Sequence, residues 1–467
     1  MDRSVKKDIC LRLAKIFHIL VLAALFGLCL AYFYAERIDE AHKLAFVLTG
    51  GAAYFILFDL LGRIYDVYAV GTYRVSRLLY SQILTLFLSV GCAYFVLCVA
   101  FLSFINPVPI ILLFVLQSVW SIIWTLIANR IYFKMIPPHK TLVIYDNDAE
   151  LYKLDEIKNS KMKFELVKYV KISENTASIS GELLGMDVVF IVGVESEIRN
   201  LLAKECIAKN IQCYIMPRVG DVIIAGADRI HNFSVPFMMI QHAAPNIEYL
   251  FIKRTFDIIV SLIGIILLSP FMLITALAIK IYDGGPVLYK QVRLTKNYKK
   301  FNVLKFRSMR TDAEKDGVAR LSSANDDRIT PVGKLIRKIR FDELPQLFNI
   351  LRGDMTIVGP RPERPEIAEQ YEKEIPSFGL RLQVKAGLTG YAQVYGKYNT
   401  EPYDKLKMDL MYINKMSVSE DIKLMFATVK ILFLPESTEG VAEGQTTASS
   451  QSQNVTETQK EKEIQKV

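Results

Sequence analysis

The apolar residues of this chain fall into blocks separated by polar stretches marked by proline and glycine. Four blocks come first, at about 16–35, 44–61, 81–105 and 108–128, each close to the length a helix needs to cross a bilayer. Pro137-Pro138 closes that region. Residues 140–245 change period. Thr141–Tyr145, Phe164–Val170, Asp187–Val192 and Gln212–Met216 read as short buried strands, with a helical stretch at Glu195–Lys209. Such alternation predicts a small parallel α/β domain. A fifth apolar run, Phe256–Ile281, is just long enough to span a membrane. Pro270 interrupts it, removing a backbone donor and crowding the preceding turn. Lys253 and Arg254 precede this run, and Lys280, Lys290 and Arg293 follow it. Flanking cations favour the cytoplasmic side, and here both flanks are basic. A re-entrant helix over 255–281 that dips in, bends at Ser269-Pro270 and returns to the same face meets both constraints; a kinked spanning helix is the alternative. From 436 to 467 the chain is rich in Ser, Thr, Gln, Glu and Lys, and a disordered tail is expected there.

The expected fold class is therefore membrane α plus α/β. It comprises a four-helix transmembrane bundle over 1–135, a small Rossmann-like parallel α/β domain over 140–245, and an α-rich, motif-bearing domain over 250–435 with the re-entrant helix and interfacial amphipathic helices. Composition agrees. The 467 residues are 52% hydrophobic with mean hydropathy +0.25, and the excess sits in the blocks. The net charge of +9 (pI near 9.0) suits membrane orientation, anionic lipid or phosphate ligands. No zinc-finger or RNA-recognition signature points to nucleic acid. Basic residues at the N-terminus (Arg3, Lys6, Lys7, Arg12, Lys15), between blocks two and three (Arg63, Arg74, Arg77) and after block four (Arg130, Lys134, Lys140) place both ends of the bundle in the cytoplasm. The first apolar run has no small-residue cleavage site after it and reads as a retained anchor. Six cysteines without a CxxC pair indicate neither a disulfide framework nor a zinc site. The turn after the first strand, Asp146-Asn147-Asp148-Ala149-Glu150, has three carboxylates and no glycine. It would repel a pyrophosphate, so the middle domain reads as structural, without nicotinamide or flavin.

Region 250–435 contains no histidine and no cysteine, the last of each being His242 and Cys213. That excludes Ser-His-Asp and Cys-His mechanisms there, and His- or Cys-ligated zinc. Carboxylates, hydroxyls, Lys and Arg remain. Lys290, Arg293, Lys296, Lys299, Lys300, Lys305, Arg307 and Arg310 form a basic run without an acid, directly after the dip. It can collect phosphate or anchor the chain at the inner face. Thr330 reads as the N-cap, and Pro331 as the first residue, of a short helix. Val332, Leu335, Ile336 and Ile339 fall on one face of it, among Lys334, Arg337, Lys338 and Arg340. This is either a helix lying on a membrane surface or one facing a soluble core. Asp342 can cap a following helix (Leu344–Leu351); alternatively, Asp342 and Glu343 hold a hard divalent cation such as Mg²⁺, with Asp342 kept ionised and nucleophilic by nearby positive charge. Pro360 and Pro362 stiffen the backbone that presents Arg361. Gly387-Leu388-Thr389-Gly390 supplies glycines for close backbone approach, with Gln393 beyond it as a possible nucleotide or sugar contact.

Taken in order, these elements resemble the bacterial sugar transferases of the polyprenyl-phosphate phosphoglycosyltransferase family, in its large multi-domain branch. The resemblance runs from about Lys253 to Phe433. It rests on Ser269-Pro270, Lys305-Phe306-Arg307-Ser308-Met309, Asp342-Glu343-Leu344-Pro345-Gln346, Gly353-Asp354-Met355, Val358-Gly359-Pro360-Arg361-Pro362 and Gly387–Gly390. It implies transfer of a sugar phosphate from a UDP-sugar to undecaprenyl phosphate at the cytoplasmic membrane face, with release of UMP, as the first membrane step of exopolysaccharide, capsule or O-antigen synthesis. By the same resemblance Asp342 is the nucleophile and Glu343 its partner at Mg²⁺ or Mn²⁺. Arg361, Lys305, Arg307 and Arg337 bind substrate phosphate, and Asp409 matches a late carboxylate, a possible nucleotide or sugar contact. The implied setting is the bacterial inner membrane, with its lipids as partners and a homodimer. Direct attack by the lipid phosphate, with Asp342 only a metal ligand, stays open, as do a catalytically dead scaffold and a lipid-phosphate hydrolase. An aromatic residue common in relatives is absent at Asn414-Lys415-Met416-Ser417.

Overall fold

Four long apolar helices open the chain: α1 (Arg3–Phe33), α2 (Glu40–Ile64), α3 (Val75–Ala100) and α4 (Val108–Met135). They belong to a computed structural model that describes residues 3–154, 163–172, 179–230, 235–243, 245–311, 313, 326, 328–396 and 400–432; the expected tail lies outside them. Among the described residues five helices, these four and one later, are long and apolar enough to cross a membrane, which fits a multi-pass membrane protein. Their outward faces carry bare Leu48, Phe95 and Leu112, while Leu22, Phe26, Phe58, Leu86 and Leu113 share one buried cluster. In lipid, apolar burial no longer drives helices together, and interhelical hydrogen bonds help to specify the pairing. Tyr54 donates to Gln117 Oε1 at 2.7 Å, and Gln117 donates to the Leu22 carbonyl at 2.9 Å. Trp120 Nε1 donates to His18 Nδ1 at 3.1 Å.

After α4 come β1 (His139–Tyr145), β2 (Phe164–Lys171), the short helix α5 (Ile179–Glu182), β3 (Val188–Val192), α6 (Ser196–Ala208) and β4 (Gln212–Ile215). The strands form one parallel sheet in the order β2-β1-β3-β4, so all four expected strands are present. Leu142, Ile144, Val189 and Ile191 bury one face together with Leu202 and Cys206 of α6. At the carboxyl edge of this sheet Asp148 pairs with Lys171 at 2.6 Å, and Glu150 lies against Gly193. Acids therefore occupy the edge where a doubly wound sheet would receive a pyrophosphate.

The chain divides into two compact units between Met216 and Pro217. The second opens with α7 (Val219–Ala225) and a hairpin of β5 (Asp228–Ile230) and β6 (Phe237–Met239). Next is α8 (Ile247–Asp283), one helix that contains Pro270 and in which Ser269 Oγ donates to the Ile266 carbonyl at 2.8 Å. Then come the antiparallel pair β7 (Leu288–Leu294) and β8 (Lys300–Phe306), α9 (Pro331–Lys338), α10 (Gln346–Arg352), β9 (Thr356–Val358), α11 (Pro365–Glu374), β10 (Gly387–Thr389), α12 (Tyr391–Val394), α13 (Pro402–Asn414) and α14 (Val418–Leu432). Their common core includes Leu347, Ile350, Met355, Tyr371, Leu406 and Leu410.

Polar bonds fix both ends of α8 within this unit. Near its start Lys253 donates to the Val358 carbonyl (2.9 Å) and pairs with Asp421 (2.6 Å), and Arg254 donates to the carbonyls of Ile350 and Leu351 (2.6 and 2.7 Å). Asp257 accepts from Thr356 Oγ1 at 2.7 Å and from Ile357 N at 2.9 Å. At the other end Asp283 pairs with Arg307, while Met272, Ala276 and Ile279 pack with Phe306, Ile336 and Phe341. Asp257 is buried, so removing it leaves two donors dry. Asp257→Ala is expected to destabilise the unit by about 2–4 kcal/mol, with Asp257→Asn intermediate because one acceptor survives. Thermal unfolding in detergent checks this; equal melting temperatures for wild type and Asp257→Ala would show that Asp257 carries no such load.

Candidate active site

Asp342 and Glu343 lie in a single 3₁₀ turn, Phe341–Glu343, between α9 and α10. Thr330 caps α9 as expected, accepting from Gly333 N at 2.9 Å. The helix ends at Lys338, and Arg340 adopts a left-handed backbone (φ 54°) that costs a non-glycine residue about 1–2 kcal/mol. This reversal turns the two carboxylates away from the axis of α9. α10 begins at Gln346 and not at Leu344, with Pro345 before it, so Asp342 caps nothing.

Glu343 is the better bonded of the two. Its Oε1 accepts from Lys305 Nζ, brought in by β8, and from Arg361 Nη2, each at 3.0 Å. Burial alone would raise its pKa, but Lys305, Arg361 and Arg340 outweigh that and hold it far below the usual carboxylate range. Asp342 goes the other way. Burial, and then the charge of Glu343, raise it against Lys305, Arg337 and Arg361. Among the described residues Asp342 has no hydrogen-bonding or ion-pairing partner. Arg337 Nη1 is buried and likewise has no hydrogen-bond partner among them. The site thus holds one carboxylate engaged through one oxygen, one carboxylate engaged by none of the described residues, and a buried donor, Arg337 Nη1, left over.

The Arg361 loop is built from close backbone approach. β9 and β10 pair in parallel, Gly387 opposite Thr356. A Cβ on Gly387 would fall 2.1 Å from Gly359 N, and one on Gly390 would fall 2.2 Å from Gly359 O. Only glycine lets these segments touch, and Gly387 N then donates to the Pro360 carbonyl at 2.8 Å. A buried ionic layer backs the loop. Arg381 Nη2 donates to the Arg361 carbonyl at 2.9 Å and pairs with Asp409 at 2.6 Å. Arg293 donates to the Pro362 carbonyl at 3.1 Å, and both Arg293 and Arg381 lie 3.7 Å from Glu363.

Of the residues singled out from sequence, Lys305, Asp342, Glu343 and Arg361 converge directly, and Arg337 joins through its charge on Asp342. Arg307 instead pairs with Asp283 at the end of α8. Asp409 supports Arg361 from behind through Arg381. Gln393 locks the turn after β10, donating to the Leu388 carbonyl at 3.0 Å. Sequence reasoning did not single out Glu363 and Arg381, and it read Arg293 and Arg340 only as cations of a basic run and of a helix face. No periodicity marks them, because each acts on a partner distant in the chain or through a backbone angle.

Comparison with known proteins fits this geometry. The bacterial sugar transferase family matches residues 248–435. An exopolysaccharide production protein of Rhizobium leguminosarum bv. phaseoli is 41% identical over 191 residues, 38% of this chain and 94% of that protein. The chain belongs to the bacterial sugar transferase family. Larger relatives include the UDP-N-acetylgalactosamine-undecaprenyl-phosphate N-acetylgalactosaminephosphotransferase of Aeromonas hydrophila, 37% identical over 232 residues (49% of this chain, 53% of that protein). The UDP-glucose:undecaprenyl-phosphate glucose-1-phosphate transferase of Escherichia coli (strain K12) is 42% identical over 183 residues (38% of this chain, 39% of that protein). The match thus spans about half of the Aeromonas protein and less of the Escherichia one.

Within this family site, the buried Asp409 gives a pH-dependent readout. Burial raises its carboxyl to about 6, against the pull of Arg381. A folded-state pKa above the ordinary value of about 3.9 stabilises fully below that value, and the contribution is lost as pH rises through the folded pKa. Protonated Asp and Asn have nearly the same shape and are both neutral. The melting temperatures of wild type and Asp409→Asn should therefore differ most at pH 8 and converge progressively as pH falls from about 6 towards about 3.9. A constant offset from pH 5 to 8 would mean that Asp409 stays ionised throughout.

Proposed function

We propose that this protein transfers a sugar-1-phosphate from a UDP-sugar to undecaprenyl phosphate at the cytoplasmic face of the bacterial inner membrane, releasing UMP. One observation carries the reading: Asp342 is surrounded by cations yet bonded to none of the described residues, while its neighbour Glu343 accepts from both Lys305 and Arg361 through one oxygen. A structural carboxylate in that position would be paired. One that attacks phosphorus must keep a lone pair free. The named activities of the Aeromonas and Escherichia relatives support the same chemistry.

The steps follow from the groups present. Arg361 and Arg337 receive the diphosphate. Asp342 attacks the phosphorus that bears the sugar, and the bridging bond to UMP breaks with its electron pair on UMP. The product is a sugar-phosphoryl aspartate. An oxygen of the lipid phosphate then attacks the same phosphorus and expels the Asp342 carboxylate, leaving a sugar on a lipid diphosphate. Glu343 holds Lys305 in place throughout and holds Arg361 until the diphosphate arrives. Among the described residues no group of three or more His, Cys, Asp and Glu could hold a metal alone. Two adjacent carboxylates, one of them unbonded, still suit Mg²⁺ or Mn²⁺, which is usually held by one or two carboxylates together with substrate phosphates and water. Asp342 and Glu343 would hold it, and its bound charge would help neutralise the diphosphate.

Re-entrance of α8 has physical support. Arg254 bonds α10, and Asn349 of α10 bonds β8 through Asn302 O (2.8 Å) and Leu304 N (2.9 Å). Arg307, just beyond β8, pairs with Asp283. A polar chain of bonds thus links the two ends of one helix. Were the helix to cross, that chain would run through about 30 Å of hydrocarbon, where unsatisfied or charged groups are strongly disfavoured. A dip that bends at Ser269-Pro270 keeps both ends at one face, and the basic residues that flank the run on both sides favour the cytoplasmic one.

UMP release from purified protein, with a panel of UDP-sugars and undecaprenyl phosphate, tests the reading. Asp342→Asn should lower turnover by about 10³-fold or more. Without acceptor, wild type should retain labelled sugar phosphate on Asp342. The attacking form is the carboxylate, and its pKa is raised, so activity should fall on acidification at a pH above the ordinary carboxylate value of about 3.9. Unchanged turnover in Asp342→Asn removes Asp342 from the chemistry. Turnover without a trapped adduct favours direct attack by the lipid phosphate.

A further inference from the structure

The family match begins at residue 248, yet the 217–243 segment before it is built into the catalytic core. Val219 and Val222 of α7 are buried with Leu406, Leu410 and Ile413 of α13. Two hydrogen bonds fasten α7 along α13: Val219 N donates to Tyr403 Oη at 3.2 Å, and Asn414 Nδ2 donates to the Val222 carbonyl at 2.6 Å. Gly226, just after α7, lies so close to Asn414 that a Cβ there would sit 2.2 Å from Asn414 Cγ. Further along, Ala243 N donates to Gln383 Oε1 at 2.8 Å.

These attachments fall on two particular elements. Tyr403, Leu410 and Asn414 follow one stripe of α13, at spacings of seven and four residues. Asp409 and Tyr412 lie on another, where Asp409 pairs with Arg381 and Tyr412 donates to the Val358 carbonyl at 3.2 Å. Gln383 ends the 3₁₀ segment Phe378–Gln383, which also carries Arg381. The 217–243 segment therefore grips both elements that hold the Arg381–Asp409 pair. Arg381 in turn donates to the carbonyl of Arg361.

From this geometry we infer that residues 217–230 and 235–243 are a positioning clamp for the donor-phosphate loop. They set the rotation of α13 and the seat of the 378–383 turn, and through them the placement of Arg361. Positioning residues by this argument are Tyr403, Asn414, Gln383 and Gly226; none touches substrate. The inference rests on the proposed transferase reading, with Arg361 serving the UDP-sugar.

The test uses full-length protein and reads two specificity constants, kcat/KM for the UDP-sugar and kcat/KM for undecaprenyl phosphate. Their ratio does not depend on how much of a preparation is active. Gly226→Ala drives a methyl into Asn414, and it should lower the donor constant by about tenfold while the acceptor constant, corrected for active enzyme, stays within about twofold. Asn414→Ala removes the side chain that the methyl strikes, so adding Gly226→Ala to it should cause no further loss. Tyr403→Phe, which deletes only an acceptor oxygen, should shift the ratio in the same direction by less, and serves if Gly226→Ala does not fold. Equal loss in both constants across these variants would make the segment mere filler and overturn the inference. Wild type that releases no UMP from any UDP-sugar would instead defeat the transferase reading, and this inference with it.

Discussion

A single carboxylate oxygen, Glu343 Oε1, ties the site together. It accepts from Lys305 of β8 and from Arg361 of the loop after β9. Three segments from separate parts of the chain meet on that atom. The side chain of Glu343 is only 13% exposed and that of Lys305 21%, so water does little to screen their attraction. Removing one partner of such a pair characteristically costs about 3–5 kcal/mol, because the other is left charged and dry. The cation at Arg361 is 41% exposed, so its share is weaker and more open to competition from an incoming anion. The junction is therefore firm on the β8 side and yielding on the loop side.

Behind it, the protein repeats the device with reversed emphasis. Glu363 has Arg293 and Arg381 on either side, and Asp409 faces Arg381. Burial would raise the Glu363 carboxyl, but Arg381, Lys405 and Arg293 more than offset it and keep it ionised. Asp409 receives less compensation and rises. The outcome is a rigid ionic floor under Pro360-Arg361-Pro362, joined to the loop by arginine bonds to backbone carbonyls. The loop's backbone is held by this floor while the guanidinium of Arg361 faces forward to Glu343.

The convergence of the candidate site residues was legible because they are adjacent in sequence or bracketed by proline: Asp342 next to Glu343, Arg361 between Pro360 and Pro362. The four strands of the middle sheet and the Thr330 cap were legible because apolar period and capping residue are local signals. The ionic floor was not. Arg293 and Glu363 lie in different elements, and Arg381 sits in a 3₁₀ turn without periodicity. Arg340 was read as one more cation on a helix face, whereas its left-handed backbone ends α9 and aims the dyad. Arg307 looked like part of the phosphate-binding run, but an acid 24 residues earlier, Asp283 at the end of α8, takes it first. A charge run in a sequence counts cations and does not show which are already neutralised.

That distinction explains why the dyad suits a doubly charged ligand. Lys305, Arg337, Arg340 and Arg361 all act electrostatically on the two carboxylates. Among the described residues Arg337 Nη1 is buried without a hydrogen-bond partner. A buried donor is unfavourable in a folded protein unless something completes it. An apolar ligand would make the desolvation worse. A diphosphate brings charge of the right sign and size, together with acceptor oxygens for donors that now lack them. In the proposed reaction it would compete with Glu343 for the more exposed Arg361, and such an exchange would place phosphorus beside the one carboxylate that no described residue engages.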